Sequence, residues 1–232
     1  MRLGVIVLAC ALTAVASAQI ADNFNRANGP LGANWTMVRG DIVVDNNQAK
    51  GNASTFAEFT WAGTPNTLPY YDVIGYLDVI ATSHAGLGYS GIRLGIGTDE
   101  MLIKFQDQST PYGEFDTVGF YHRSGTGYGG WTGGSGFRTL VAAGGSNFAS
   151  GRLKFYFQSG NQDVIYADVD TDFNGTPEFT LNSPGVLNIA ANLGTGVGIN
   201  TYSINARVDN FLIVPEPAAL GLLALGLLIR RR

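Results

Sequence analysis

In several short segments between residues 42 and 214 the apolar side chains of this chain recur at every second position, and no segment holds a sustained helical period, a pattern that points to strands. Val73, Gly75, Leu77 and Val79 share one face of an extended segment; Ile92, Leu94 and Ile96 share another. Leu153, Phe155 and Phe157 repeat the pattern with Lys154, Tyr156 and Gln158 opposite. The same reading predicts strands near 42–44, 55–61, 101–106, 115–121, 164–169 and 206–214. Thirty-two glycines, with asparagine and proline, punctuate these runs, and only 14% of the residues are charged. Glycine supplies the positive φ that tight turns need. The pattern predicts an all-β fold, a two-sheet antiparallel sandwich in which each strand buries one face against the opposite sheet.

The two ends are different in kind. Met1-Arg2 places a positive charge before the apolar run Leu3 to Val15, and Ala16-Ser17-Ala18 offers the small residues that a signal peptidase accepts. Residues 1–18 are therefore read as a secretory signal cut after Ala18. A lipobox reading of Val7-Leu8-Ala9-Cys10 leaves an apolar core of only about seven residues, short for an export signal. Cys10 is the one cysteine, so the exported part has no disulfide.

At the other end, Val214-Pro215-Glu216-Pro217 leads into the uncharged run Ala218 to Ile229 and then Arg230-Arg231-Arg232. Twelve helical residues span about 18 Å, short of a hydrocarbon core of ~30 Å. The order of Pro215, Glu216 and Pro217, a small-and-leucine-rich segment, and the terminal Arg230, Arg231 and Arg232 resembles the PEP-CTERM sorting signal. That resemblance implies a bacterial protein processed by an exosortase after transient membrane insertion, often alongside exopolysaccharide. Arginines at the extreme end would stay on the cytoplasmic side. The expected organisation is a signal peptide over 1–18, a sandwich domain over 19–213 and a sorting segment over 214–232. The expected location is the cell envelope, outer surface or extracellular matrix.

The chain carries 14 basic and 18 acidic side chains, of which Arg2, the three terminal arginines and Glu216 lie in these end segments. The domain is left near −7, which argues against nucleic acid as a partner.

The domain opens with Asp22, Phe24 and Arg26 at alternate positions, followed by Gly29-Pro30-Leu31-Gly32-Ala33-Asn34-Trp35. This start resembles the first strand, turn and aromatic second strand of concanavalin A-like lectin and glucanase jelly rolls. The closing stretch 207–213 fits the same pattern, because such folds lay the last strand beside the first. The resemblance implies a jelly roll over roughly 21–214.

Chemistry is sparse. Glu114-Phe115-Asp116 resembles the laminarinase-type strand on which alternate carboxylates serve as nucleophile and helper, but Val118 or Gly119 stands where the acid/base Glu would be, so the leaving oxygen has no proton donor. The alternative is two acids on an exposed strand face. His84 and His122 lie in no metal-ligand spacing, and no nucleophile elbow is present. Residues 124–136 hold seven glycines around Tyr128 and Trp131, aromatics that could stack on a sugar ring or belong to the core. The glycines lack the helix of a dinucleotide site.

Asp168, Asp170, Asp172 and Asn174, followed by Gly175, form the acidic cluster. Asp170-x-Asp172-x-Asn174-Gly175 matches the first half of a calcium loop, but its twelfth position is Leu181. Read as a strand, the segment puts Asp168 and Asp170 on the outer face with Val164 and Tyr166, and Ile165, Ala167 and Val169 inward; the competing reading is a solvated hairpin turned by Asn174-Gly175. The expected function is a non-catalytic surface module associated with exopolysaccharide, with a glycoside hydrolase or lyase as the alternative. Exposure of Trp35, Trp61 or Trp131 beside a groove would favour sugar binding; burial would favour a structural role.

Overall fold

A computed structural model describes residues 20–52, 56–61, 73–81, 88–95, 99–107, 113–124, 137–139, 147–158, 161–183, 196–202, 204 and 206–215. The expected signal peptide, Glu216 to Arg232, His84, Tyr128 and Trp131 lie outside the described residues. In chain order the strands are β1 (Ile20–Asp22), β2 (Gly29–Pro30), β3 (Trp35–Arg39), β4 (Ile42–Asp45), β5 (Gln48–Gly51), β6 (Phe56–Trp61), β7 (Val73–Ala81) and β8 (Gly88–Leu94). They continue with β9 (Asp99–Asp107), β10 (Thr117–Ser124), β11 (Phe137–Thr139), β12 (Ser150–Gln158), β13 (Asn161–Asp170), β14 (Phe179–Asn182), β15 (Val197–Tyr202) and β16 (Ala206–Pro215).

They form two antiparallel sheets. One has nine strands in the order β14-β13-β12-β7-β16-β5-β4-β2, with β1 also paired to β16; the other has seven in the order β11-β10-β9-β8-β15-β6-β3. The last strand lies beside the first, with Ile20 opposite Ile213 and Asp22 opposite Phe211. Every strand read from alternation is present. The core is the set of inward residues that alternation selects: Leu77, Val79, Leu153, Phe155, Ile165 and Val169 from one sheet, Ile92, Leu94, Ile103, Phe105, Val118 and Ile199 from the other, all fully buried.

Two features depart from a simple reading. In β16 the inward set runs Ala206, Val208, then Phe211 and Ile213, so the phase slips by one residue. A bulge against β7 between Asp209 and Leu212 absorbs the slip, and Asn210 at φ 50° supplies the left-handed residue. Asn also tolerates this conformation better than most side chains. The second departure is the Asn174-Gly175 turn. β13 and β14 are joined by residues 171–178, not by a two-residue hairpin. The Asp170 carboxylate accepts the N–H groups of Asn174 (3.2 Å) and Gly175 (2.8 Å), which draws the chain into a wider loop with Phe173 and Gly175 at positive φ.

Candidate functional site

The opening motif is structural. Asp22 ends β1 and accepts two hydrogen bonds from the Arg26 guanidinium (2.7 and 2.9 Å), one from Trp35 Nε1 (2.7 Å) and one from the Phe24 N–H (2.8 Å). Arg26 also donates to the Leu31 carbonyl at 2.7 Å, so one carboxylate joins the first strand, the turn and β3. Trp35 is buried between Phe24 and Phe211, with ring centroids at 5.8 and 5.2 Å. By the burial criterion this tryptophan belongs to the core. Burial raises the Asp22 pKa, but the hydrogen bonds from Arg26, Trp35 and Phe24 outweigh it and hold the carboxyl below its ordinary value.

The outer face of the seven-stranded sheet is unusual for a surface away from the core. Register places Tyr202, Tyr89, Gln106 and Thr117 side by side across β15, β8, β9 and β10, and Asn200, Gly91, Lys104 and Gly119 form the next row. Outward polar residues on a sheet are normally solvated. Here Arg93, Lys104, Gln106 and Asn200 are all buried. Tyr89 and Tyr202 stack with centroids 4.8 Å apart and planes 14° from parallel, and the Lys104 ammonium sits 3.4 Å from the Tyr89 ring centroid. Burial pushes the Lys104 pKa down to about 7.

Glycine at 91 and 119 leaves this second row without side chains on either side of Lys104. A β-carbon at Gly91 would strike the Ile103 carbonyl oxygen and come within 2.6 Å of the Lys104 Cα, so no other residue fits. The glycines leave a side-chain-poor strip, or trough, next to the stacked tyrosines, and at its end Asn200 has both amide N and O buried with no hydrogen-bond partner among the described residues. A buried amide left unpaired costs about 1–3 kcal/mol. Sequence reasoning missed this site because its residues come from three strands and carry no shared motif.

With sheets and trough defined, the relatives can be placed. The structure is similar to the CBM2 module of the evolved Dit of Lactobacillus casei BL23 phage J-1, at a TM-score of 0.55 and 10% identity over 84% of this chain and 93% of that one. It is also similar to a glycoside hydrolase family protein from Mycobacterium thermorestibile, at a TM-score of 0.50 and 14% identity over 84% of this chain and 99% of that one. The fold is a jelly roll of two antiparallel sheets. No protein-family model and no curated protein sequence matches the chain.

Within this jelly roll the two acids expected to share a strand face are separated. Glu114 is exposed on a bend ahead of β10, and Asp116 is buried, its N–H donating to the Gln106 carbonyl at 3.0 Å. Strand pairing resumes only at Thr117, because the isolated bridge from Phe115 to Phe148 pulls the chain toward the core first. Val118 points into the core, so that position offers no acid. A carboxyl that the motif did not include lies nearby: Asp107, nearly fully buried, accepts the Gly113 N–H at 2.6 Å. Its pKa is raised by burial and then by the charges of Asp116 and Glu114.

The acidic cluster divides. One carboxylate oxygen from each of Asp170, Asp172 and Glu178 lies within 4.8 Å of the others. Asp168 belongs to a different group: it accepts hydrogen bonds from Thr180 (2.7 Å), Tyr156 (3.3 Å) and Lys154 (3.4 Å). Asn174 donates its N–H (3.1 Å) and its side-chain amide (2.8 Å) to Asp172. Glu178 accepts the Thr171 N–H and hydroxyl, so these groups already fasten the 171–178 loop. His122 lies on β10 opposite Met101, and Trp61 lies on β6 opposite Trp35.

Proposed function

We propose that this protein is an exported, surface-attached, non-catalytic module that binds polysaccharide in the trough between Tyr89, Tyr202, Lys104 and Asn200. The carrying observation is the stacked Tyr89–Tyr202 pair with the Lys104 ammonium 3.4 Å from the Tyr89 ring centroid, set beside Asn200, whose two amide atoms are buried and unsatisfied among the described residues. Stacked tyrosines beside buried donors and acceptors suit a sugar, whose faces are apolar and whose rim is hydroxylated. Export and attachment rest on the terminal segments: removal of 1–18 by signal peptidase, then recognition of Pro215-Glu216-Pro217 by an exosortase, with Arg230 to Arg232 as the stop. Exopolysaccharide of the producing cell is then the natural partner, at the envelope or in the matrix.

The test is co-sedimentation and calorimetry with the producer's exopolysaccharide and a panel of β-glucans. The wild-type protein is expected to bind at least one polymer, with Tyr202→Ala and Asn200→Leu weakening binding about tenfold or more. No binding to any polymer would reduce the protein to a structural envelope component. For sorting, mass spectrometry of the protein from an exosortase-deleted strain is expected to show the 214–232 segment retained.

A hydrolase is the second reading, favoured by Asp107. Asp107 is a buried carboxyl near Glu114 and Asp116, and its pKa is shifted upward by burial, the direction in which a general acid is tuned. Reducing-sugar release from β-glucans, lost in Asp107→Asn and Glu114→Gln, would establish it. No release from any substrate removes it.

A further inference from the structure

On the opposite side of the molecule, the outer face of the nine-stranded sheet carries a cleft of about 140 Å³ bordered by Tyr76, Arg152, Lys154, Asp168, Gly175 and Pro177. Its parts are brought together by register. Tyr76 lies across from Lys154, and Lys154 lies across from Asp168, so three adjacent strands present an aromatic, a cation and a carboxylate in one row. Next to them, Arg152 faces Asp78 on one side and Asp170 on the other.

The frame is rigid where it needs to be. Arg152 is clamped on Asp78 through Nε (2.6 Å) and Nη2 (2.9 Å), and Asp78 is held in turn by the Asn210 amide from the β16 bulge (2.8 Å). The wall at Gly175 is tied by its N–H to Asp170, and no atom lies within 4 Å of where a β-carbon on Gly175 would be, so the cleft is open there. Lys154 is the looser member. Its ammonium reaches Asp168 only at 3.4 Å, and its side chain keeps 34% of its exposure.

The charge balance selects the ligand. Two cations, Arg152 and Lys154, stand among three carboxylates, Asp78, Asp168 and Asp170, so the surroundings disfavour an anion such as a uronate or phosphate. Donors and acceptors alternate around a tyrosine, which matches a neutral polyhydroxylated ring. The volume is below the several hundred Å³ typical of drug-sized ligand sites and suits one ring, not a chain. We propose that this cleft is a second sugar site, taking a single neutral hexose unit such as a chain end or side branch. It does not depend on the trough reading. Where both hold, the two faces would bind separate chains and make the module a cross-linker.

The probes are the methyl glycosides of glucose, galactose and mannose, titrated at millimolar concentrations into the isotopically labelled full chain and followed by backbone amide resonances. The expected result is shifts at Lys154 and Gly175 with at least one glycoside, and affinity reduced about tenfold in both Lys154→Ala and Asp168→Ala, consistent with losing charge-assisted hydrogen bonds. Thermal midpoints close to wild type would show that both variants are folded. Absence of shifts at the cleft with all three glycosides overturns the proposal, as do shifts undiminished in both variants. Shifts confined to Asn200 and Tyr202 overturn it while leaving the trough reading in place.

Discussion

The Phe155 ring fills the volume that a β-carbon on Gly75 would occupy, one strand across in the core of the nine-stranded sheet. The central strand therefore reaches full packing only because residue 75 has no side chain. Gly75→Ala is expected to destabilise the protein by about 1–3 kcal/mol through overpacking. Phe155→Leu in the same chain is expected to recover part of that loss, a coupling that a double-mutant cycle measures by denaturant midpoints at constant m. Purely additive losses would mean that Phe155 is not the obstructing group.

Asp22 joins β1, the following turn and Trp35 through four hydrogen bonds, with its side chain 8% exposed. Asp22→Ala removes the carboxylate from the Arg26 guanidinium, which keeps only the Leu31 carbonyl, and takes the acceptor from Trp35 Nε1–H, and is expected to cost about 2–4 kcal/mol. The folded carboxyl titrates below its ordinary value of 3.8, so its contribution is complete above that pH and is lost as the pH falls through the lower folded value. Melting midpoints below pH 4 are therefore expected to fall more steeply for wild type than for Asp22→Ala. Parallel profiles would remove Asp22 as the acid-sensitive group.

The 171–178 loop hangs on Asp170, whose two oxygens accept the Asn174 and Gly175 N–H groups. Asp170→Ala leaves the Gly175 N–H to solvent and the Asn174 N–H to Asp172 alone, and is expected to cost about 1–3 kcal/mol in the presence of chelator. Repeating the comparison in millimolar calcium reads any cation held with Asp172 and Glu178. Saturation at a hundredfold excess over Kd would widen the wild-type advantage by about 2.7 kcal/mol. An equal gap in calcium and chelator assigns Asp170 to the loop alone.

How far the sequence could be read depends on whether the signal was local. Strands with one face in the core were legible, because Leu153, Phe155 and Phe157 alternate with Lys154 and Tyr156 whatever lies next to them. β15 was not read: Val197 and Ile199 are the only aliphatic residues in its six positions, and two of them alternating with Gly198 and Asn200 make too short a signal to stand out. β16 was read as one strand, but its phase slip at Asn210 depends on pairing with β7. Asp22, Arg26 and Trp35 were recognisable as a pattern, and the structure gives them a tethering role that spacing alone did not disclose. The trough was invisible for a plainer reason. Tyr89, Lys104 and Asn200 meet only through register between three strands, and register is a tertiary property. Asp107 lies near enough to Glu114 and Asp116 to feel their charges, a proximity that no motif in the sequence marks.

Asn200 lowers stability as it stands, since both amide atoms are buried and unpaired. Asn200→Leu keeps the shape and removes the orphaned groups, and is expected to raise the unfolding free energy by about 1 kcal/mol while weakening polysaccharide binding. Opposite movement of stability and affinity is the signature of a residue kept for a ligand. Destabilisation by the substitution would instead assign Asn200 a structural partner.

Lys104 gives the trough a pH dependence whose sign is fixed. Burial disfavours the ammonium and brings the pKa from 10.5 to about 7, although the Tyr89 ring at 3.4 Å offsets part of the cost. In the unfolded chain the amine keeps its ordinary value. Between pH 7 and 10.5 the unfolded state therefore holds a proton that the folded state has released, and stability rises with pH wherever the unfolded state binds more protons. Melting midpoints are expected to climb from pH 7 toward pH 10 after allowance for the tyrosines, and Lys104→Met, with no charge to bury, is expected to lose that climb and to be more stable than wild type near pH 6. A wild-type profile that is flat or falls over this range, or one that Lys104→Met reproduces, would show that the ammonium keeps enough solvent or counter-charge in the trough to titrate normally.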